Sequence, residues 1–297
     1  MNILVSVNSK YRKQLCVMLY SLRLHCKTEA IDVYLINKSL SVEELVQIEE
    51  YINNKCKMKL HAISLREDAF WEQMPLGAQH FSIEMYFRIL APYILPGEME
   101  RILWLDADIV INGDITSFYY QDFEENSMIV CMDRACDSDE VNVFRRVKGK
   151  SDVPYFNSGV LLMNLKNMCD QYSYEYVLDF SDRVKDILLM PDQDILNLLY
   201  RDKVKFADED VYNYQKKDGW IHKLKKKPYI IHYIGGAKPW MWGYIGPYAV
   251  PYWIIRLRQH HYIECFVAFI MNFLLWMKHK ISRYIRRLNT NSIKEAE

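Results

Sequence analysis

The stretch Arg101-Ile102-Leu103-Trp104-Leu105-Asp106-Ala107-Asp108 joins an apolar segment to two carboxylates that stand one residue apart. Its apolar part is typical of a buried strand. Ligands of open α/β sheets bind at the carboxyl ends of the strands, which is where these two acids fall. Two carboxylates at this spacing can share one divalent cation, because hard cations prefer oxygen ligands. The stretch therefore predicts an α/β sheet that carries a metal site at one edge.

The spacing of the two acids is weak evidence without its context. The same D-x-D pattern occurs at three other places, Asp137/Asp139, Asp192/Asp194 and Asp208/Asp210. Chance and solvated loops are enough to produce it. Only Asp106/Asp108 follows a buried apolar strand, so we take this pair as the candidate metal site.

Apolar strands and helical patterns alternate along the chain. The predicted strands are residues 3–7, 31–36, 59–63, 101–105, 128–132, 159–163 and 229–233. The predicted helices are residues 14–24, 41–51, 84–90 and 193–200, and the second of them starts with a capping box. Residues 201–227 are expected to be mostly loop. Strands that alternate with helices indicate a parallel, doubly wound sheet.

The composition excludes several classes of protein. Of the 297 residues 51% are hydrophobic, and 38 basic side chains balance 38 acidic ones, so we expect a folded chain rather than a disordered one. The seven cysteines form no C-x-x-C pair, which favours reduced thiols in a cytoplasm over disulfides or a zinc site. No basic segment precedes the first apolar stretch, so we expect no export signal. Dinucleotide binding is unsupported, because no G-x-G-x-x-G motif occurs.

The C-terminal part differs in charge from the rest of the chain. Residues 249–297 carry eight Lys or Arg and three Glu, a net charge of +5, so residues 1–248 carry −5. A mildly acidic body argues against nucleic acid as a partner, and a basic tail is typical of contact with an anionic surface. The apolar run 265–277 spans roughly 20 Å as a helix, which is shorter than a bilayer core of about 30 Å.

The segment after this run has the pattern of a helix that lies in a membrane interface. Apolar residues repeat at i, i+3, i+4 and i+7, and basic residues occupy the other side. The apolar positions are Ile281, Tyr284, Ile285 and Leu288, and the basic ones are Lys280, Arg283, Arg286 and Arg287. Trp276 is a suitable interfacial anchor. The alternative is a terminal helix that docks on its own domain or on a dimer partner, with its charges solvated.

Three further segments place polar side chains at the ends of apolar elements. His232 follows a buried strand and precedes two glycines and Lys238, so it can join the two aspartates beside a phosphate. The alternative there is a hydrogen-bonded core histidine. Residues 156–164 and 191–197 carry amide and carboxylate groups that suit sugar hydroxyls. Asp192 is also a natural N-cap, which would make its role structural.

Taken together and in this order, the strand-D-x-D, F-N-S-G-V-L-L-M-N, D-Q-D-I-L-N and H-Y-x-G-x-x-K-P-W segments resemble glycosyltransferase family 8. Within that family they are most similar to the bacterial lipopolysaccharide galactosyl/glucosyltransferase-like branch, over residues 1–240. The resemblance implies a GT-A fold with a single Rossmann-like mixed sheet. We therefore expect a catalytic domain at residues 1–248 and a basic amphipathic helical tail at residues 249–297.

The resemblance also implies an activity. The expected reaction moves glucose or galactose from UDP-glucose or UDP-galactose to a lipopolysaccharide or another surface glycan, with retention of the anomeric configuration. The expected cofactor is Mn²⁺ or Mg²⁺. The expected partners are the nucleotide-sugar donor, a glycan or glycolipid acceptor and, through the tail, an anionic membrane surface. The expected location is the cytoplasm, at the inner face of the cell membrane.

Carried onto this chain, the resemblance gives each candidate residue a role. The metal ligands are Asp106, Asp108 and His232. The donor-binding residues are Ser6, Asn8, Tyr11, Arg88, Asp106, Ala107, Asp108, Asn157, Gly235 and Lys238. The catalytic candidates are Asp133, Asp192, Gln193 and Asp194, and Asp133 has the place of an acceptor contact.

Two features of the mechanism stay open in the sequence. The family commonly has Asp where this chain has Asn8, and commonly Asn near the position of Lys10, which leaves base selectivity open. Retention requires either same-face attack by the acceptor or a covalent intermediate. Asp194 is the only neighbouring carboxylate that suits the second route, and same-face attack is favoured.

Two other functions fit parts of the sequence. Residues 102–110 also satisfy the strand-D-x-D signature of haloacid-dehalogenase-type phosphatases. That class carries the motif on its first strand and a G-D-x-x-x-D motif later, whereas Gly113-Asp114 lacks the second aspartate. The other alternative is a catalytically inactive, membrane-attached glycan-binding or scaffold protein of the same fold. The presence of all three inferred metal ligands argues against it.

Overall fold

The computed structural model describes residues 1–65, 83–136, 138–148, 154–215, 226–236, 238–241 and 249–294. They form two compact units. The first contains Met1–Gln215 and Lys225–His232, and the second contains Lys216–Leu224 and Tyr233–Glu297, each as far as it is described. The domain boundary expected at residue 248 stays a prediction.

The first unit is built around a mixed seven-stranded sheet. The strands of the described residues are β1 (Asn2–Ser6), β2 (Asp32–Asn37), β3 (Lys59–Ser64), β4 (Arg101–Leu105), β5 (Ile109–Ile111), β6 (Met128–Met132), β7 (Phe156–Asn164), β8 (Val204–Ala207) and β9 (Ile230–His232). The sheet has the order β3-β2-β1-β4-β7-β6-β8, and β5 and β9 form a separate antiparallel pair. This mixed α/β architecture confirms the expected fold class.

Helices connect most of these strands. The α-helices of the described residues are α1 (Arg12–His25), α2 (Val42–Tyr51), α3 (Phe87–Ile94), α4 (Thr116–Tyr119), α5 (Val143–Lys148), α6 (Leu165–Gln171), α7 (Tyr174–Val184), α8 (Pro191–Tyr200), α9 (Glu209–Tyr212), α10 (Ala249–Arg258) and α11 (Tyr262–Lys294). The capping box of α2 is confirmed, because Ser41 and Glu44 exchange side-chain to backbone hydrogen bonds.

Two hydrophobic cores lie on opposite faces of the sheet, since successive strand residues point to opposite sides. Ile3 of β1 packs in one core with Leu15 of α1. Leu4 packs in the other core with Trp104 of β4 and Phe87 of α3. The central strands are apolar almost throughout because helices cover both of their faces.

One strand does not follow the expectation of a parallel sheet. β1, β2, β3 and β4 are parallel neighbours, but β7 is antiparallel to both β4 and β6. β7 starts at the same edge of the sheet at which β6 ends. Two neighbouring strands connected in this way are antiparallel. The carboxyl ends of β1 and β4 and the amino end of β7 consequently share one edge, which we call the site edge.

The sequence patterns miss several elements, among them the helices α6 and α7. Residues 201–227 were expected to be mostly loop, yet they contain β8 and α9, so that expectation is wrong for these segments. The strand β5 was not expected either. Elements of three or four residues show too little periodicity to be recognised in a sequence.

In the second unit, α10 and α11 meet at a tight turn. His260 has a left-handed backbone with a φ of 66°, and the buried Arg256 forms an ion pair with Glu264. α11 continues without a break, so the apolar run and the amphipathic segment belong to one helix. Among the described residues, none of the helices combines the length and the apolar character that crossing a bilayer requires.

Candidate active site

Three candidate metal ligands meet at the site edge. Asp106 and Asp108 lie in the short loop between β4 and β5, and His232 ends β9. β5 pairs with β9 so that Ile109 lies opposite His232, which brings the imidazole beside the two carboxylates. His232 Nε2 lies 3.2 Å from Asp108 Oδ1 and 3.8 Å from Asp106 Oδ2. One ligand atom of each residue lies within 4.8 Å of the others.

The chemistry of these ligands fits a divalent cation. Two carboxylate oxygens and an imidazole nitrogen form a donor set that suits Mn²⁺ and related ions. The side chains of Asp106 and Asp108 are only 24% and 14% exposed, and that of His232 is 4% exposed. Two carboxylates in such a sheltered place repel each other unless a cation lies between them. The structure therefore brings together all three ligands that the sequence suggested.

Gly159 of β7 forms one wall of this cluster. A Cβ atom at this position would lie 2.2 Å from His232 Cε1 and 2.9 Å from Asp106 Oδ2. The backbone amide of Asp106 also donates a hydrogen bond to Gly159 O. Only glycine lets the strand approach the ligands so closely, and a glycine inside an apolar strand is the sequence signal for such an approach.

Asp106 is held in place by two donors. Trp104 Nε1 donates a hydrogen bond of 2.8 Å to Asp106 Oδ1, and Arg88 Nη2 lies 2.9 Å from the same oxygen. The guanidinium of Arg88 also lies over the ring of Trp104, 4.4 Å from its centre. These contacts leave Asp106 Oδ2 on the side of His232.

Arg88 connects the metal ligands to the candidate sugar-binding residues. It is buried, and its Nε lies 3.2 Å from Asp192 Oδ2. Its Nη1 donates to both Ser158 O, at 2.6 Å, and Ser158 Oγ, at 3.0 Å. Burial raises the pKa of Asp192, and the guanidinium of Arg88 opposes this shift. The alternative of Asp192 as an N-cap is wrong, because Met190 occupies that position of α8.

A buried amide network adjoins Asp192. Gln193 Oε1 accepts hydrogen bonds from Ser158 N and Asn157 Nδ2, at 3.0 and 3.1 Å. Asp133 Oδ2 accepts from Asn157 Nδ2 and Gln193 Nε2, at 3.0 and 3.1 Å. Asp133 Oδ1 accepts from two backbone amides of the turn that follows it. The structure thus brings three predicted residues, Asp133, Asn157 and Gln193, into one rigid cluster.

Asp194 has a different set of partners. Its Oδ1 accepts a 2.5 Å hydrogen bond from Tyr155 OH. Its Oδ2 accepts from the backbone amides of Leu189 and Met190 and from Arg146 Nη2. Burial raises the pKa of Asp194. These contacts tie the first turn of α8 to its surroundings, and both carboxylate oxygens are used in doing so.

The N-terminal loop follows β1 at the same edge of the sheet. Ser6 ends β1, and its buried Oγ has no hydrogen-bond partner among the described residues. Asn8 Oδ1 accepts a 3.1 Å hydrogen bond from Lys10 N and so begins the short helical turn Ser9–Tyr11. Tyr11 is partly buried against one of the two cores. The donor-binding role of this loop stays a prediction.

Gly235 and Lys238 belong to the second unit. Gly235 has a φ of 77°, a conformation that favours glycine. Lys238 is buried and its Nζ donates to Tyr233 O. Ala107, between the two aspartates, is 9% exposed. The roles suggested for these three residues remain predictions.

Two polar residues of the site, Ser158 and Asn213, are not among the predicted ones. Ser158 Oγ donates a 2.9 Å hydrogen bond to Asp192 Oδ2. Asn213, which is 1% exposed, contacts His232 Nδ1 through its Oδ1 at 3.0 Å. Asn213 lies within the stretch expected to be loop, and no sequence pattern marks it.

The mixed α/β sheet, with paired aspartates, a histidine and a buried polar network at one edge, has the GT-A fold. The chain belongs to glycosyltransferase family 8, because the model of "Glycosyl transferase family 8" matches residues 2–242. Family membership removes the phosphatase alternative.

Two bacterial relatives illustrate the similarity. The lipopolysaccharide 1,2-glucosyltransferase of Escherichia coli K12 is 26% identical over 272 residues, which cover 87% of this chain and 78% of that protein. The lipopolysaccharide 1,3-galactosyltransferase of Salmonella typhimurium is 26% identical over 180 residues, which cover 56% of this chain and 52% of that protein.

A solved structure shares the fold. The galactosyltransferase LgtC, in complex with donor and acceptor sugar analogues, has a TM-score of 0.75 at 21% sequence identity. The match covers 86% of this chain and 95% of that one. The likeness supports the GT-A fold.

We expect Gly159→Ala to weaken metal binding. The added methyl group must displace the imidazole of His232 or the carboxylate of Asp106, because it would overlap both. The expected loss of Mn²⁺ affinity is about 10–100-fold, as for other changes that disturb ligand orientation. Titration of Mn²⁺, followed by electron paramagnetic resonance of the free ion, measures this loss.

Gly97→Ala is the matched control for this change. A Cβ atom at Gly97 has no heavy atom within 4 Å, so this variant should bind Mn²⁺ like the wild type. Equal affinity of the two variants would contradict the close packing of β7 against His232.

Proposed function

We propose that the protein is a retaining hexosyltransferase that moves glucose or galactose from a UDP-sugar to a lipopolysaccharide or another cell-surface glycan. The observation that carries the proposal is the continuous contact from the Asp106-Asp108-His232 cluster through Arg88 to Asp192 in a chain of family 8. The acceptor class follows from the names of the relatives, which act on lipopolysaccharide.

Asp106, Asp108 and His232 would hold the metal ion of this reaction. A bound Mn²⁺ or Mg²⁺ would neutralise the negative charge that develops on the diphosphate when the bond to the sugar breaks. In the proposal, Lys238 adds a point charge beside the diphosphate, and the glycine at 235 lets the backbone approach it. Ser6, Asn8 and Tyr11 bind the nucleoside, with Tyr11 as the stacking side chain.

The buried polar cluster suits the hexose. Asp192, Asn157 and Gln193 are held by hydrogen bonds before any ligand arrives, so they orient a sugar without a further loss of side-chain freedom. Their oxygens stabilise the positive charge that the sugar acquires in the transition state. In the proposal, Asp133 reaches the acceptor side of this cluster.

The proposal favours same-face attack over a covalent intermediate. Asp194 is the carboxylate that the sequence suggests as a nucleophile, but its two oxygens accept hydrogen bonds from Tyr155, Arg146 and two backbone amides. A nucleophile needs a free lone pair directed at the sugar. The amide of Gln193 is a poor nucleophile. Retention therefore arises from the attack of the acceptor on the face that the diphosphate leaves.

An inactive glycan-binding protein is the alternative function, and no observation favours it. The three ligand side chains converge to within 4.8 Å, which a protein without turnover has no need to preserve.

The proposal places the protein in the cytoplasm, at the inner face of the cell membrane. The structural support for membrane contact is α11, where the side chains of Ile263, Phe266 and Phe269 are more than half exposed. Lys280 lies about three turns beyond Phe269 on the same helix, with its Nζ 5.1 Å from the ring centre of Trp276. Apolar side chains beside cations are typical of a helix that lies in an anionic membrane interface.

The donor is tested first. We expect the purified full chain to release UDP slowly from either UDP-glucose or UDP-galactose when Mn²⁺ is present, because water replaces the absent acceptor. EDTA should abolish the release. No release from either donor, together with no calorimetric binding of UDP, would contradict the proposed activity.

Asp108→Ala should abolish Mn²⁺-dependent UDP release and leave the fold intact, because it removes one of three ligands from a partly exposed loop. Asp139→Ala is the matched control, since Asp139 belongs to another D-x-D pair and is 72% exposed. Full activity of Asp108→Ala would refute the metal assignment.

Removal of residues 262–297 should release the protein from vesicles that contain an anionic lipid. The reason is the loss of both the apolar face and the basic residues of α11. Co-sedimentation with anionic and with neutral vesicles at two salt concentrations measures the effect, and higher salt should weaken the binding of the full chain. Undiminished binding after truncation would refute the membrane role of the tail.

A further inference from the structure

Asn213 is a buried amide that the proposed reaction does not use. It follows α9, and it is 1% exposed. The next residue, Tyr214, accepts a hydrogen bond from His232 N and donates one to Ile230 O, at 3.0 and 2.9 Å. The backbone beside Asn213 is therefore fastened to the strand that carries His232, and its side chain has a fixed position relative to the imidazole.

The neighbouring amide of Asn157 has only one possible orientation. Asn157 Oδ1 accepts a 2.9 Å hydrogen bond from the backbone amide of Gly159, which is a donor only. Asn157 Nδ2 donates to Asp133 Oδ2, which belongs to a carboxylate. Exchange of the two amide atoms would place donor against donor and acceptor against acceptor.

This orientation fixes Asn213 in turn. The atom of Asn213 that lies 2.9 Å from Asn157 Oδ1 must be a donor, so it is Nδ2. Asn213 Oδ1 then faces His232 Nδ1 at 3.0 Å. Because a carbonyl oxygen only accepts, Nδ1 carries the hydrogen atom. The lone pair of a neutral imidazole is consequently on Nε2, which faces Asp106 and Asp108.

We propose that Asn213 is a positioning residue that holds His232 in its metal-binding tautomer and links it to the sugar-binding amide of Asn157. This proposal rests on the metal-dependent function proposed above. A histidine ligand is oriented and made more basic by the acceptor on its other nitrogen. The chain of hydrogen bonds from Gly159 N through Asn157 and Asn213 to His232 thus joins the metal site to the hexose site.

The first test is the Mn²⁺ affinity of Asn213→Ala, measured by electron paramagnetic resonance of the free ion. The variant leaves His232 Nδ1 without its acceptor, so we expect an affinity about 10–100-fold lower than that of the wild type. Asn126→Ala is the matched control. Its side-chain amide donates to two backbone oxygens, Phe123 O and Glu124 O, before the start of β6, and the Mn²⁺ affinity of the variant should equal that of the wild type.

Asn213→Asp tests the contacts with His232 and with Asn157 separately, because it keeps the acceptor, removes the donor and hardly changes the side-chain volume. A carboxylate still accepts from Nδ1, so the Mn²⁺ affinity should stay within about threefold of the wild type. It cannot donate to Asn157 Oδ1, so turnover of the UDP-sugar should fall by about tenfold. The affinity for UDP itself in the presence of Mn²⁺ should not change, because UDP has no hexose.

The outcomes distinguish this proposal from the function on which it rests. If the wild type binds no Mn²⁺, both are overturned. If the wild type binds Mn²⁺ and Asn213→Ala binds it equally well, the function stands and the role of Asn213 is overturned. Wild-type turnover of the UDP-sugar by Asn213→Asp would overturn the link to Asn157. Thermal unfolding of each variant shows whether it is folded. If Asn213→Ala is not folded, Asn213→Asp tests the proposal instead.

Discussion

The guanidinium of Arg88 lies between two carboxylates, those of Asp106 and Asp192, at 2.9 and 3.2 Å. Both arginine and Asp192 are almost completely buried, where an unpaired charge is costly and two carboxylates without a cation repel each other. Arg88 supplies a positive charge at this place. Its planar donors also reach the backbone and side chain of Ser158, so one residue orients the candidate metal ligand Asp106, the buried Asp192 and the start of β7.

The second requirement is topological. His232 lies far from the two aspartates in sequence, and the short pairing of β5 with β9 places it beside them. This pairing continues directly from the loop that carries Asp108, so little backbone separates the aspartates from the strand that positions the histidine. The reversed strand β7 then closes the site from the other side, with a glycine at the point of closest approach. The paired strands on either side of the short loop with Asp106 and Asp108 thus determine the geometry of the candidate site.

Much of this arrangement follows from local sequence patterns. The apolar run before Asp106 and the strand before His232 predict buried strands, and the rule for strand ends then predicts where their polar residues lie. The direction of β7 does not follow from its residues, because a buried strand is apolar whichever way it runs. Asn213 cannot be recognised in the sequence for a different reason. Its importance comes from hydrogen bonds to residues distant in sequence, and a lone asparagine in a polar stretch resembles any turn residue.

The reversal of β7 also affects how substitutions act along the strands. In β4 the first residue, Arg101, stacks on Phe123 away from the site, and the candidate metal ligands follow the last residue. In β7 the order is opposite, since Asn157 and Ser158 lie near the start of the strand and Met163, near its end, packs in the core. Substitutions that disturb the candidate site should therefore cluster at the end of β4 but at the start of β7. Substitutions at the start of β7 should act on the candidate site, while those near its end should act on the packing of the core.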